Sequence, residues 1–185
     1  KINEHRRQKL GADTLRPWDT SVDLDGADAF EPFTDAAGHV DVSAKLMPAV
    51  AEDFGEELRW MSSQGLLDLE TRPHKGPGGF MDNLEKRRVP VIFANSGTTH
   101  GDVETLVHEG GHALNGLFCR DLEPVAYRMP PLEFAEVASM GLEALAMEHL
   151  EDVYPADEAQ RARRDSLEGM LSTFAWVATI DGFQH

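Results

Sequence analysis

His108, Glu109 and His112 are the residues of this chain whose types and spacing most directly imply chemistry. On a helix, positions i and i+4 stack one turn apart on the same face, so two imidazoles there can grip one metal ion. Glu109, next to the first imidazole, is placed to take a proton from a water held by that ion. HExxH on a helix is the arrangement in which metallopeptidases hold catalytic zinc. A shuffled chain of this composition would contain it roughly 3% of the time, so a third ligand has to be found independently.

The flanking residues predict the helix that must carry these groups. Val103, Leu106, Val107, Gly110, Ala113, Leu114 and Leu117 recur at helical spacing and form an apolar stripe beside the histidines. Thr99, Gly101 and Asp102 offer a start, with Asp102 and Glu104 near the positive end of the helix dipole. Gly110 and Gly111 each cost about 1 kcal/mol relative to alanine in mid-helix. Close approach of substrate or of a neighbouring helix is the expected compensation.

A second helix is predicted from Leu132 to about Leu150, with Pro131 suited to its first turn. Glu136, Ser139, Met140 and Glu143 fall on one face of it. Glu136 as third ligand would give a two-His, one-Glu set with an open fourth position, the mark of a catalytic rather than a structural zinc site. Ser139 and Glu143 would stand behind the ligands. Glu143 either hydrogen-bonds the second ring nitrogen of a ligating histidine or is a plain surface carboxylate. Phe134, Val137 and Leu145 are expected to set this helix in the core.

Elsewhere the chain reads in order. Residues 1–10 are helix-compatible and stop at Gly11, like the tail of a helix that begins outside this chain. The Pro-, Gly- and Asp-rich stretch from Asp13 to Val42 reads as extended connection, so 1–42 is expected to wrap a core formed by 43–185. Ser43 is expected to open a helix faced by Leu46, Val50, Phe54, Leu58 and Met61, with Pro48 forcing a bend or a later start. Leu66 to Glu70 reads as a short strand and Val89 to Ala94 as a clear one. Pro90 favours the start of that strand or a sheet edge. A last helix leaves Phe174, Trp176, Ile180 and Phe183 in need of a partner, expected to be sequence outside this chain.

Composition narrows the function classes. The 185 residues are 41% hydrophobic and 27% charged, without repeats or low-complexity tracts, which suits a globular domain with a real core. No apolar run approaches the roughly 20 residues that span a membrane, and the opening residues are not a signal peptide. A net charge of −16 disfavours nucleic acid and anionic membrane as partners. The single Cys119 excludes an internal disulfide framework and suits a reducing cytoplasm.

Several runs taken together resemble one family. Pro90-Val91-Ile92-Phe93-Ala94-Asn95, then Gly101-Asp102-Val103 and Thr105-Leu106-Val107-His108-Glu109-Gly110-Gly111-His112-Ala113, are similar to the oligoendopeptidase F branch of the thimet-oligopeptidase family. So are Glu136-Val137-Ala138-Ser139-Met140-Gly141-Leu142-Glu143, the glycine-rich Lys75-Gly76-Pro77-Gly78-Gly79-Phe80, and Asp181-Gly182-Phe183-Gln184-His185. The resemblance implies a mainly α protein with a small β-sheet and a zincin-like core, holding one zinc through His108, His112 and Glu136. It implies an endopeptidase that cleaves short peptides inside a channel. It also implies that this chain is one segment of a longer helical protein, whose later part carries the oxyanion-stabilising residues.

On that reading Glu109 is the general base, and Val89 to Ala94 is an edge strand that aligns the peptide by β-addition. Gly78 and Gly79, with Phe80, Phe93 and Ala94, would line the substrate, although the glycines also fit a plain turn. Two rivals stand beside it. A non-catalytic zinc protein would close the site with a fourth ligand such as Cys119 or His100, and a helical interaction module would hold no metal. His5, His39, His74 and His149 are read as surface residues, and nothing in the sequence places Tyr127 or Tyr154 near the metal.

Overall fold

The computed structural model describes the backbone of residues 1–185 and every side chain except those of Ser21 and Ala49. Contacts divide the chain into Lys1–Phe30 and Glu31–His185. In the smaller unit, helix α1 (Ile2–Lys9) ends at Leu10, and Gly11 follows with φ +61°. Further on, the Asp19 carboxylate accepts the Arg16 N–H at 2.8 Å to start a 3-10 turn at Pro17–Ser21.

In the larger unit Asp35 caps helix α2 (Ala36–Leu46) by accepting the Gly38 N–H at 2.7 Å. The extended connection expected through Val42 therefore stops short, because this cap and the burial of His39, Val40, Ser43 and Ala44 make 36–46 helical. The single helix expected from Ser43 is broken. Pro48 lies in a 3-10 turn, Met47–Ala49, since its ring cannot sit inside a helix, and helix α3 (Phe54–Ser63) starts afresh.

Three strands follow: β1 (Leu67–Glu70), β2 (Gly79–Leu84) and β3 (Val89–Ser96), in the order β1-β3-β2. β1 runs parallel to β3 with Leu67 opposite Ile92, and β2 runs antiparallel with Met81 opposite Ile92 and Asn83 opposite Pro90. The strand expected at an edge is thus the central one. Pro90 is tolerated for a specific reason: Ile92 donates its N–H to the Leu66 carbonyl, so position 90 faces the same side, ahead of where β1 begins pairing. No ladder bond is lost.

Ile92 and Ala94 point from β3 into the core toward helix α4 (His100–Cys119), itself buried along Val103, Leu106, Val107 and Ala113. Asp102 fixes the start of α4 by accepting from the N–H groups of Gly97 and Thr99 at 3.0 and 2.9 Å. His39, expected on the surface, is wholly buried instead: it stacks on Phe33 and its Nε2 donates to the Asp102 carbonyl at 2.9 Å.

Helix α5 (Ala135–Ala146) lies across α4. It buries Ser139, Leu142 and Ala146, whereas Phe134, Val137 and Leu145 are exposed, contrary to the expectation that they anchor it. The small-residue side has to face α4, and the larger apolar residues turn outward. Helix α6 (Ala156–Gln184) buries Ala159, Ala162 and Ser166, while Phe174, Trp176, Val177 and Phe183 are exposed. The fold is mainly helical with one small sheet, and no helix among the described residues is long and apolar enough to cross a membrane.

Candidate metal centre

The α4 and α5 backbones meet at Gly111. A Cβ on Gly111 would lie 2.7 Å from both the Ser139 Cα and the Ala138 carbonyl oxygen, closer than any side chain permits. One turn of α5 before Ser139 stands Glu136, which this approach brings over the α4 histidines. The neighbouring Gly110 gives way to the buried Met47, whose methyl would be 2.5 Å from a Cβ there. Both mid-helix glycines thus answer to close packing by other parts of the chain, at α5 and at Met47.

Nε2 of His108 and Nε2 of His112 lie 3.2 and 3.3 Å from the same Glu136 oxygen, Oε2. Zinc bonds of about 2.0–2.2 Å at tetrahedral angles separate ligand atoms by roughly 3.4 Å, close to the two distances from the imidazoles to Glu136. Among the described residues this is the one group of three His, Cys, Asp or Glu side chains so arranged, with all ligand atoms within 4.8 Å. Cys119 points back to Asn115 Oδ1 at 3.4 Å, and His100 Nδ1 bonds the hydroxyl of the buried Tyr154 at 3.1 Å. Neither joins the cluster, and His100 lies roughly 12 Å before His108 along the helix. Tyr127 is 70% exposed.

Glu143 is hydrogen-bonded to Nδ1 of His108. Because a carboxylate accepts, that contact holds a proton on Nδ1, and Nε2, on the Glu136 side, is the nitrogen that a metal would take. The contact also raises the His108 pKa, against the effect of burial. The Ser139 hydroxyl donates to Glu136 Oε2 at 2.7 Å, and this bond, with the nearby histidines, holds the Glu136 carboxyl below the usual range. Glu109 is 8% exposed, and burial pushes its carboxyl up, opposed by His108, His112 and the Met81 N–H that it accepts.

Met81 belongs to a strand that the sequence reading missed. Because Phe80, Asp82 and Leu84 turn their backbone groups to β3, those of Gly79, Met81 and Asn83 lie along the free edge of β2. Gly79 sits against Thr105 and Asn83 against Gly116, so β2 runs along α4 in the helix direction. The exposed strand edge beside the candidate base is therefore β2, and the β-addition expected at Val89 to Ala94 has its free edge here.

The other expected substrate contacts are placed less directly. Gly78 has φ +85° and opens β2, and Ala94 is buried under the sheet. Phe80 stacks on Phe93 at 5.1 Å, on the sheet face opposite Met81 and away from α4. The structure brings Glu109, Ser139 and Glu143 to the three candidate ligands, but not these rings. The one available signal for β2 was the polar run Glu85-Lys86-Arg87-Arg88 ahead of a strong strand, which asks for a hairpin partner.

Comparison with known proteins gives a family and a fold. The pattern of Peptidase family M3 matches residues 1–185. Oligoendopeptidase F, chromosomal, from Lactococcus lactis subsp. cremoris is 24% identical over 80% of this chain and 24% of its own length. Group B oligopeptidase PepB of Streptococcus agalactiae serotype III (strain NEM316) is 25% identical over 97% of this chain and 30% of its own. A solved structure assigned as oligoendopeptidase F from Bacillus anthracis str. Ames superposes with a TM-score of 0.80 at 24% identity, over 91% of this chain and 30% of that one, a likeness of fold. The chain thus spans about a quarter to a third of the length of these relatives.

Proposed function

The chain belongs to Peptidase family M3, and from that premise we propose that it carries the zinc site of an endopeptidase acting on short peptides. The observation that carries the reading is the convergence of His108 Nε2 and His112 Nε2 on one Glu136 oxygen, at 3.2 and 3.3 Å. The donor set fits one zinc with an open position, held by His108, His112 and Glu136. Zinc there would supply Lewis acidity, polarising a carbonyl and acidifying water.

The chain's own residues do the rest. The outer edge of β2 takes an extended peptide as an added strand through the Met81 carbonyl and the backbone groups of Asn83, the Met81 N–H being held by Glu109. Glu109, buried and held by the Met81 N–H, takes the proton of the attacking water at its carboxylate. Burial raises its affinity for that proton, which suits the uptake, and the same carboxyl then passes the proton to the leaving amine. Glu143 keeps His108 in the tautomer that presents Nε2, and Ser139 orients Glu136.

The exposed apolar side chains of α6 support a reading in which further sequence of a longer protein covers them. The lone Cys119 fits residence in the cytoplasm. The test is metal content with function: one zinc per chain in the purified protein, and peptide cleavage abolished by a chelator and restored by zinc. A metal-free protein that cleaves peptides at full rate would overturn the reading.

A further inference from the structure

The turn that follows β2 is held from outside the sheet. Between Leu84 and Val89, Arg88 adopts φ +55°, a left-handed conformation that residues other than glycine rarely take, so contacts beyond the turn must keep it. They come from the loop between α4 and α5. Arg88 donates to the Arg120 carbonyl at 3.5 Å and to Glu123 Oε1 at 3.4 Å, but Glu123 is 84% exposed and that pair contributes little. Arg128 is placed differently. It is buried, and all three of its nitrogens are used: Nε donates to the Leu122 carbonyl at 2.7 Å, Nη2 to the Glu123 carbonyl at 3.2 Å and Nη1 to Glu85 Oε2 at 3.1 Å.

Two of these bonds fold the loop onto itself, and the third leaves it. Glu85 directly follows β2 and supplies the counter-charge that a buried cation requires. A lysine, with one point charge, could not span the three acceptors. The next loop residue continues the contact, since the Met129 sulfur accepts from the Asn83 amide at 3.6 Å. Residues 128 and 129 thus grip the end of β2 at Glu85 and Asn83. The other hold on the strand is Glu109, at the Met81 N–H. From Met81 to Glu85 is about 13 Å of extended chain, so β2 is fixed both beside the candidate base and at its turn. A strand that takes a peptide on its outer edge can place that peptide only as firmly as it is itself placed. The candidate ligands are set separately, by the approach of Gly111 to Ser139.

We propose that Arg128 is a positioning residue for peptide binding: through Glu85 it fixes the turn end of β2, and with it the backbone groups of Asn83. The inference rests on the peptide-hydrolysis reading, and its test tells the two apart. Glu85→Ala is the decisive variant, because Glu85 is 41% exposed and its loss leaves both bonds of Arg128 to its own loop in place. In the zinc-loaded protein, KM for a peptide long enough to lie along β2 should rise roughly ten-fold in this variant, the change that goes with one hydrogen bond to a charged group. Turnover should stay within about two-fold and zinc content should not change, the pattern of lost binding rather than lost chemistry. Glu85→Gln, whose amide oxygen still accepts, should recover most of the loss. Arg128→Met should match or exceed Glu85→Ala, and the double variant should be no worse than Arg128→Met alone, because both act through one contact.

Binding is read without turnover from the backbone amide NMR signal of Asn83 as N-acetyl-tetraalanine amide is added. A saturable shift is expected, with its midpoint raised in Glu85→Ala by the same factor as KM. If Arg128→Met does not fold, the two Glu85 variants decide the matter. No saturable shift in the wild type, a KM and midpoint unmoved in Glu85→Ala, or a fall in kcat or zinc content in place of the KM change overturns the positioning role. A midpoint that moves as expected in a protein that cleaves no peptide supports the role of Arg128 and overturns the hydrolytic reading instead.

Discussion

Gly111 on α4 and Ser139 on α5 touch backbone to backbone, leaving no room for a Cβ between them. Through this contact a residue without a side chain sets the distance between two histidines and a glutamate that it never meets. Gly111→Ala should force the helices apart, destabilising the fold by about 1–3 kcal/mol, as overpacking does. Because Glu136 rides on the displaced helix, zinc affinity should fall as well. Urea unfolding and chelator competition measure the two effects, and unaltered zinc affinity would show that the contact does not position the ligands.

Glu143→Ala removes the hydrogen-bond partner of His108 Nδ1. Loss of such a partner typically costs about 10–100-fold in metal affinity. Competition with a chromophoric chelator should place the variant in that range, with Glu143→Gln closer to wild type because its amide oxygen can still accept. Equal affinity for all three proteins would return Glu143 to the status of a surface carboxylate.

Glu109→Gln separates proton transfer from metal binding. The variant should keep its zinc, since Glu109 is not among the converging ligand atoms, and lose about 100-fold or more in peptide hydrolysis. Near-normal turnover would assign the proton to another group.

Much of this candidate site was legible because its residues also obey helix periodicity. The stripe from Val103 to Leu117 placed His108 and His112, and the i, i+3, i+7 spacing placed Ser139 and Glu143 with Glu136. What periodicity could not supply was direction. Phe134, Val137 and Leu145 suggested the buried side of α5, yet close approach at Gly111 demanded the small side inward. β2 escaped notice because Gly79-Phe80-Met81-Asp82-Asn83-Leu84 has neither a β-branched residue nor clean alternation. Its absence then made β3 look like an edge. His39 was misjudged because a lone histidine shows nothing of the Asp102 carbonyl that receives it.

That buried histidine predicts a pH dependence. Burial lowers the His39 pKa, opposed by the Asp102 carbonyl bond and carboxylate charge. The folded state therefore resists the proton that the unfolded chain accepts at about pH 6.5. Stability from this group is complete above that pH and is lost as pH falls from there toward the folded value. In metal-free protein, the drop in melting temperature between about pH 7.5 and 5.5 should be larger for wild type than for His39→Phe. Parallel curves for the two proteins would contradict the buried, neutral assignment.

The open edge of β2 has a further consequence, for solubility. Backbone groups free to pair with a peptide are equally free to pair with the same edge of another copy. The strand has six residues and carries Asp82, and the chain bears a net charge of −16, so copies repel one another before their edges meet. Salt shortens the reach of that repulsion to about 8 Å at physiological strength and to about 3 Å at 1 M. Self-association should accordingly rise with ionic strength, and a peptide lying along β2 should suppress it, making an occupied cleft the protein's own guard against aggregation.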